Sequence, residues 1–298
     1  MSDRISIPAL DGRALDVWIS GGSEGVPLIS HHGTPGSGLP YQPFIPIANE
    51  RGLRHVAYSR PGYGTSDRLE GRSIADCAAD VMAILDHLGA SRCYTIGGSG
   101  GGPHALACAA LLPDRVIAAA TIASVGPFDA PGLDFLAGMG QENVEEFGLA
   151  IAGNRDALLE FMQRDVEATE TGDIQELIQV MGELLPPVDL AVVNGPLAEH
   201  LLQSNTEAFR RGVWGWYDDD LAFVKDWGFD LDAIAVPVVL WQGRLDKMVP
   251  FAHGEWLIER VPNAAARLLD EHGHLSIAVG SYAQILDDLL ALAEPRSA

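Results

Sequence analysis

Ser99 sits inside the run Gly97-Gly98-Ser99-Gly100-Gly101-Gly102, and a single serine enclosed by glycines between two apolar segments raises the question of what its hydroxyl is for. Cys93 to Ile96 reads as a short apolar strand, and Pro103 to Leu112 as an apolar helix ending at Pro113. So short a link between strand and helix is a tight turn, where small flanking residues relieve crowding around the central side chain. Gly97-x-Ser99-x-Gly101 is therefore a candidate nucleophile elbow. A serine hydroxyl attacks poorly until a base takes its proton, and a histidine base needs a carboxylate to orient it. Both types recur downstream, in the order serine, acid, histidine. Asp246 lies in "RLDKMVP", after the strand-like "PVVLWQG", and His274 lies in "EHGHLS", after the strand-like "ARLLD". His272 is the direct rival of His274, and spacing alone does not separate them. Asp270 and the run Asp218-Asp219-Asp220 read as solvated or capping groups, the usual use of a loop aspartate.

An acyl-transfer site also needs donors for an oxyanion, commonly two backbone N–H groups. Gly100, next after the serine and at the start of its helix, offers one. "HHGTPGSG" (His31 to Gly38) follows an early strand, its glycines let the backbone approach a substrate, and Thr34 N–H is the natural second donor, although Thr-Pro-Gly would also make an ordinary turn. The glycines admit a competing chemistry, because Gly100-x-Gly102-x-x-Ala105 formally matches a dinucleotide fingerprint. That match follows the third strand of the alternation, finds no acid suited to a ribose, and leaves Asp246 and His274 unexplained.

These groups meet only if separate loops converge. Strand-like and helix-like segments alternate through the first part of the chain: "PLISHH" (Pro27 to His32), "RHVAYS" (Arg54 to Ser59), a helix over roughly Ser73 to Leu88, the strand at Cys93, the helix after Ser99 and "RVIAAATIA" (Arg115 to Ala123). Such alternation predicts a parallel sheet covered by helices, with active groups at the carboxyl ends of its strands. An antiparallel pair near Ile5 and Leu15 to Ile19, turning at Asp11-Gly12, adds an edge. The rhythm breaks after Gly126-Pro127 and returns at Pro237. We therefore expect an α/β core over 1–126 and 233–298 and a mostly helical insertion over 127–232. Phe135, Met139, Trp214, Trp216 and Tyr217 of the insertion are candidates for a pocket wall, with Trp214, Trp216 and Tyr217 as the candidate substrate contacts; packing is the commoner use of such residues. Most of its acids, which include Glu142, Glu145, Glu146, Glu183 and Glu199, lie in helical patterns that read as solvated faces.

A chain of 298 residues with 47 % apolar composition can bury a substantial core, and a formal net charge of -22 argues against nucleic acid or an anionic membrane as partner. "MSDRISIPALDGRALDVW" lacks the continuous apolar stretch of a signal peptide, and no apolar run approaches the length that spans a bilayer, so a cytoplasmic location is expected. Cys77, Cys93 and Cys108 are odd in number and embedded in apolar contexts, which points to buried free thiols rather than disulfides or a metal site. A small-molecule substrate with no cofactor or metal is the expectation, and no feature speaks to oligomeric state.

With these segments in hand the chain resembles an α/β-hydrolase-fold serine hydrolase over nearly its whole length. "HGTPG" resembles the oxyanion loop of proline iminopeptidase-like members, "SRPGYGTSD" (Ser59 to Asp67) the loop after the next strand, and "GGSGGGPHALACAALLPDRV", "PVVLWQGRLDKMVP" and "EHGHL" the nucleophile, acid and histidine segments. The resemblance implies Ser99, Asp246 and His274 as a catalytic triad, Thr34 and Gly100 as oxyanion donors, and a helical cap for the insertion. It is weak on substrate, since members include esterases, lipases, peptidases, carbon-carbon bond hydrolases and non-hydrolytic relatives. A carboxylesterase acting on a small or medium uncharged substrate is the expectation, with a proline iminopeptidase-like aminopeptidase or a low-turnover ligand-binding protein as alternatives. Dehalogenase and epoxide hydrolase relatives use aspartate nucleophiles, so Ser99 counts against both. Gly98 departs from the family pattern, in which a larger residue often precedes the serine.

Overall fold

In the computed structural model, which describes residues 2–167 and 172–293, Gly12 turns the first hairpin with a φ of +88°. Strands β1 (Ser2–Pro8) and β2 (Ala14–Ser20) pair antiparallel around it, and β4 (Leu53–Ser59) pairs antiparallel with β2. The other five pairings are parallel. They join β4 to β3 (Val26–His31), then β5 (Cys93–Gly98), β6 (Val116–Ile122), β7 (Val238–Gly243) and β8 (Ala265–Leu269), giving an eight-stranded sheet in the order β1-β2-β4-β3-β5-β6-β7-β8.

The central strands are apolar on both faces because helices cover both. Along β6, Ala119 packs with Leu106 and Ala109 of α3 (Gly102–Leu111), while Ala118 and Ala120 face α11 (His274–Ala293) on the other side. Helices α2 (Cys77–His87) and α10 (Phe251–Arg260) share the α3 face, and α1 (Phe44–Asn49) shares the α11 face. Cys77, Cys93 and Cys108 are buried and unpaired. The sequence led us to expect no apolar run of membrane-spanning length, yet α11, 20 residues long and containing an 18-residue stretch of mean hydropathy 1.3, meets that requirement by length and composition. In this fold it packs Ile277, Ile285, Leu286 and Leu289 into the core beneath β6 and β7.

Between β6 and β7 run α4 (Gln141–Ile151), α5 (Arg155–Glu167), α6 (Ile174–Met181), α7 (Pro187–Leu190), α8 (Gly195–Ala208) and α9 (Trp214–Phe223). They bury an apolar cluster of their own, with Ala150, Leu158, Phe161, Met162, Ala208 and Trp216, and Tyr63 from the loop after β4 completes it. Asp218, Asp219 and Asp220, expected to be solvated, are 2 %, 0 % and 0 % exposed. Helix α9 is packed on nearly all sides, and arginines follow two of the acids in: Arg68 meets Asp218, while Arg60 and Arg72 meet Asp219.

Candidate active site

The glycines around Ser99 are set by close packing. A methyl group at Gly97 would collide with the carbonyl of Gly101, one at Gly101 with that of His31, and one at Gly100 with the Thr34 hydroxyl. Gly98 differs, since a Cβ there would meet only the Ile122 carbonyl at 4.0 Å, leaving open space beside the turn. Ser99 itself has a φ of +53°, a left-handed conformation that costs a residue with a side chain on the order of 1–3 kcal/mol and persists where the surroundings enforce it. Enforcement comes from β5 on one side and from the 3-10 turn Ser99–Gly101 leading into α3 on the other.

Asp246 follows β7 and is pinned by its own loop. Its Oδ1 accepts from the N–H of Met248 at 2.9 Å and Val249 at 2.8 Å, and Oδ2 accepts from Gln242 Nε2 at 3.3 Å. The same Oδ2 stands 2.7 Å from Nδ1 of His274, the first residue of α11. That bond assigns the Nδ1 proton to the Asp246 side and leaves Nε2 as the basic nitrogen. Burial disfavours the charged imidazole, but the Asp246 carboxylate, its hydrogen bond and the nearby Asp189 outweigh burial and raise the His274 pKa above 6.5. His272 is half-buried, and its Nδ1 has no partner among the described residues, so it is His274 that holds the acid.

Thr34 and Gly100 lie against one another, and the loop before Thr34 reaches the serine: a Cβ at Gly33 would stand 3.4 Å from Ser99 Cβ. Thr34 N–H has no acceptor among the described residues, and Gly100 N–H belongs to the unpaired start of a helix. Ser99, His274, Thr34 and Gly100 all line one cavity of about 440 Å³.

Of the candidates for the pocket wall, Trp216 and Met139 line this cavity, whereas Trp214, Tyr217 and Phe135 do not. The helical period of α9 turns Trp216 inward and leaves Trp214 and Tyr217 on its other side, where Arg68 stacks over Trp214 at 4.2 Å and Trp214 meets Tyr217 edge to face. Phe135 packs instead against Phe147 and His253.

Three features escaped the sequence. Asp189 of α7, wholly buried, accepts from the N–H groups of His274 at 2.7 Å, Leu275 at 3.1 Å and Ser276 at 2.8 Å, so the insertion caps the very helix that begins with the histidine. Glu146, expected on a solvated face, is 8 % exposed, lines the cavity and accepts from Trp216 Nε1 at 2.5 Å. Burial lifts its pKa to about 7, and the neighbouring Asp220, also buried, is pushed well above the ordinary carboxyl range, first by burial and then by Glu146. The third is the ion cluster around Asp219. None of the three carries a local signal, because each depends on a partner tens of residues distant in sequence. Glu183 and Glu199 are exposed as expected, and Asp270 is an exposed partner of Arg244.

The alpha/beta hydrolase fold family matches residues 26–281. An uncharacterized hydrolase of Bacillus subtilis is 25 % identical, covering 92 % of this chain and 93 % of its own length, and a non-heme chloroperoxidase of Streptomyces lividans is 29 % identical over 91 % and 92 %. The acetyltransferase component of an acetoin cleaving system in Pseudomonas putida is 27 % identical over 94 % of this chain, which spans 66 % of that protein's length. Among solved structures, a hydrolase from Pseudomonas aeruginosa has a TM-score of 0.71 at 20 % identity, covering 97 % of this chain and 98 % of that one, and an esterase from Exiguobacterium antarcticum has a TM-score of 0.67 at 20 % identity over 97 % and 99 %.

Proposed function

The chain belongs to the alpha/beta hydrolase fold family, and from that premise we propose that it is a serine hydrolase cleaving a carboxylic ester, or a related acyl bond, of a small to medium uncharged substrate. The observation that carries the reading is the convergence on one cavity of a strained Ser99 and a His274 whose Nδ1 is held 2.7 Å from Asp246. Ser99 Oγ attacks the acyl carbon while His274 Nε2 takes its proton; Asp246 stabilises the imidazolium, and the N–H groups of Thr34 and Gly100 receive the oxyanion. His274 then gives the proton to the leaving alcohol, and a water activated by the same nitrogen releases the acid. Residues 127–232 form a cap over the 1–126 and 233–298 core, and Trp216 supplies part of the wall for the acyl or alcohol group.

One observation favours a second reading, an aminopeptidase. Glu146 places a carboxyl in the cavity wall, where the ammonium of an N-terminal residue needs a partner. Against it, Trp216 already donates to one oxygen, and burial raises the pKa of Glu146 to about 7 and that of Asp220 well above the ordinary carboxyl range, so the site disfavours the carboxylate that an ammonium needs.

Both readings meet one set of experiments. A fluorophosphonate is expected to label Ser99, Ser99→Ala to abolish labelling and ester turnover, and circular dichroism of that variant to be unchanged. Turnover of the naphthyl ester of a short acid should exceed that of proline naphthyl ester and of proline naphthylamide. Full turnover in Ser99→Ala would refute the serine mechanism; preference for both proline compounds, lost on N-acetylation, would establish the aminopeptidase instead.

A further inference from the structure

The ion cluster behind the oxyanion loop has no part in the triad, yet it bonds Thr34, whose hydroxyl lies against Gly100. Asp219 of α9 accepts from Thr34 Oγ1 at 2.7 Å, Tyr63 OH at 2.9 Å, Arg60 Nη2 at 2.6 Å and Arg72 Nη1 at 2.7 Å. Arg60 in turn donates to Thr34 Oγ1 at 2.9 Å, to the Gly33 carbonyl at 3.0 Å and to the His32 carbonyl, while its own N–H donates to His32 Nε2 at 3.1 Å. Every consecutive residue from His32 to Thr34 is therefore held by one guanidinium. On the far side His104 donates from Nδ1 to the Gly100 carbonyl at 2.8 Å, while its Nε2, 4.0 Å from Asp219, has no hydrogen-bond partner among the described residues. Arg60, Arg72, His104 and Asp219 are all buried.

Two physical consequences follow. Thr34 cannot swing away from Gly100 without breaking both of its hydroxyl bonds, so the spacing of the two N–H donors is set before substrate arrives. Burial and the two guanidinium charges leave His104 neutral, while Arg60 and Arg72 hold Asp219 ionised against its own burial. Two cations against one carboxylate leave one net positive charge directly behind the loop, where a developing oxyanion benefits from it in a site of low dielectric.

We propose that Asp219 and Arg60 are positioning residues for acyl transfer, fixing Thr34 against Gly100 and presenting net positive charge behind the oxyanion site. The inference rests on the serine hydrolase reading. It further means that α9 of the insertion is structurally part of the oxyanion machinery.

Thr34→Val, Thr34→Ser and Asp219→Asn are the variants that test it, with kcat and KM for one naphthyl ester and the affinity of a trifluoromethyl ketone, whose Ser99 adduct carries the oxyanion. Thr34→Val keeps the backbone N–H and loses both side-chain bonds. It should lower kcat by roughly 10- to 100-fold, since removing an oxyanion donor outright costs about 10²- to 10³-fold, and weaken the ketone in parallel with KM within about 3-fold. Thr34→Ser, retaining the hydroxyl, should restore most of the rate. Asp219→Asn should show the same split, and adding Thr34→Val to it should cost little more, because the two changes break one link. Asp219→Asn also leaves two buried arginines short of charge, so if it fails to fold, the valine and serine pair decides alone. A Thr34→Val enzyme with wild-type kcat and ketone affinity, or a Thr34→Ser enzyme as impaired as the valine variant, would overturn the proposal. Absence of both ester turnover and fluorophosphonate labelling in the unmodified protein would instead overturn the serine hydrolase reading beneath it.

Discussion

Replacing Asp189 by asparagine removes one charge and one acceptor from the start of α11. Its Oδ1 takes the N–H of Leu275 and Ser276, and its Oδ2 that of His274. An asparagine whose oxygen stands in the Oδ1 position keeps the first two bonds and turns an NH₂ toward the His274 N–H. A bond to a charged group contributes about 1.5–3 kcal/mol, and the two survivors weaken as the charge goes, so a loss of about 3 kcal/mol is expected. At roughly 2 °C per kcal/mol for a chain of this size, thermal unfolding should move down by about 6 °C. A second effect is specific to the site. Protonated His274 cannot accept the serine proton, and because Asp246 and Asp189 raise its pKa, kcat/KM should fall as pH drops through a value above 6.5. Taking away the Asp189 charge should shift that acid limb to lower pH. Differential scanning calorimetry and pH profiles of an activated ester measure the two effects. An unfolding temperature within about 1 °C of the parent, together with an unmoved limb, would refute the reasoning that this cap both anchors α11 and tunes its histidine.

His274→Ala should lose nearly all ester hydrolysis while His272→Ala retains it, because only His274 holds Asp246; steady-state rates decide, and a dead His272→Ala enzyme would exchange the roles. Glu146→Gln should flatten the pH dependence of stability. The folded state keeps the Glu146 proton to about pH 7, whereas the ordinary value is 4.5, so this group's stabilisation is present below 4.5 and lost as pH rises through 7. Relative to the parent, the glutamine variant should gain melting temperature at pH 8 and gain none near pH 4; equal melting temperatures at pH 8 would show that Glu146 is ionised without cost.

What local pattern encodes was legible in the chain. Alternating apolar strands and helices marked the sheet, and the glycine-enclosed Ser99 marked the turn after β5, because a tight strand-to-helix link admits few residue types whatever surrounds it. Asp246 and His274 were visible for a related reason, since loops at the carboxyl ends of parallel strands must meet. Choosing His274 over His272 by geometry took the folded chain, which begins α11 at residue 274 and puts that imidazole on Asp246. The burial of Asp189, Glu146 and Asp219 had no counterpart in helical periodicity, which reports how polar a face is and not what lies opposite it. Their aromatic character likewise nominated Trp214, Trp216 and Tyr217 together and could not say that, of these three, Trp216 alone reaches the cavity. The sequence by itself thus determined the fold class and the order of the candidate serine, acid and histidine, each written in a few adjacent positions. Only the tertiary structure decided which charges are buried, because a carboxylate leaves water only where arginines, backbone N–H groups or a second carboxyl from distant parts of the chain are brought to meet it.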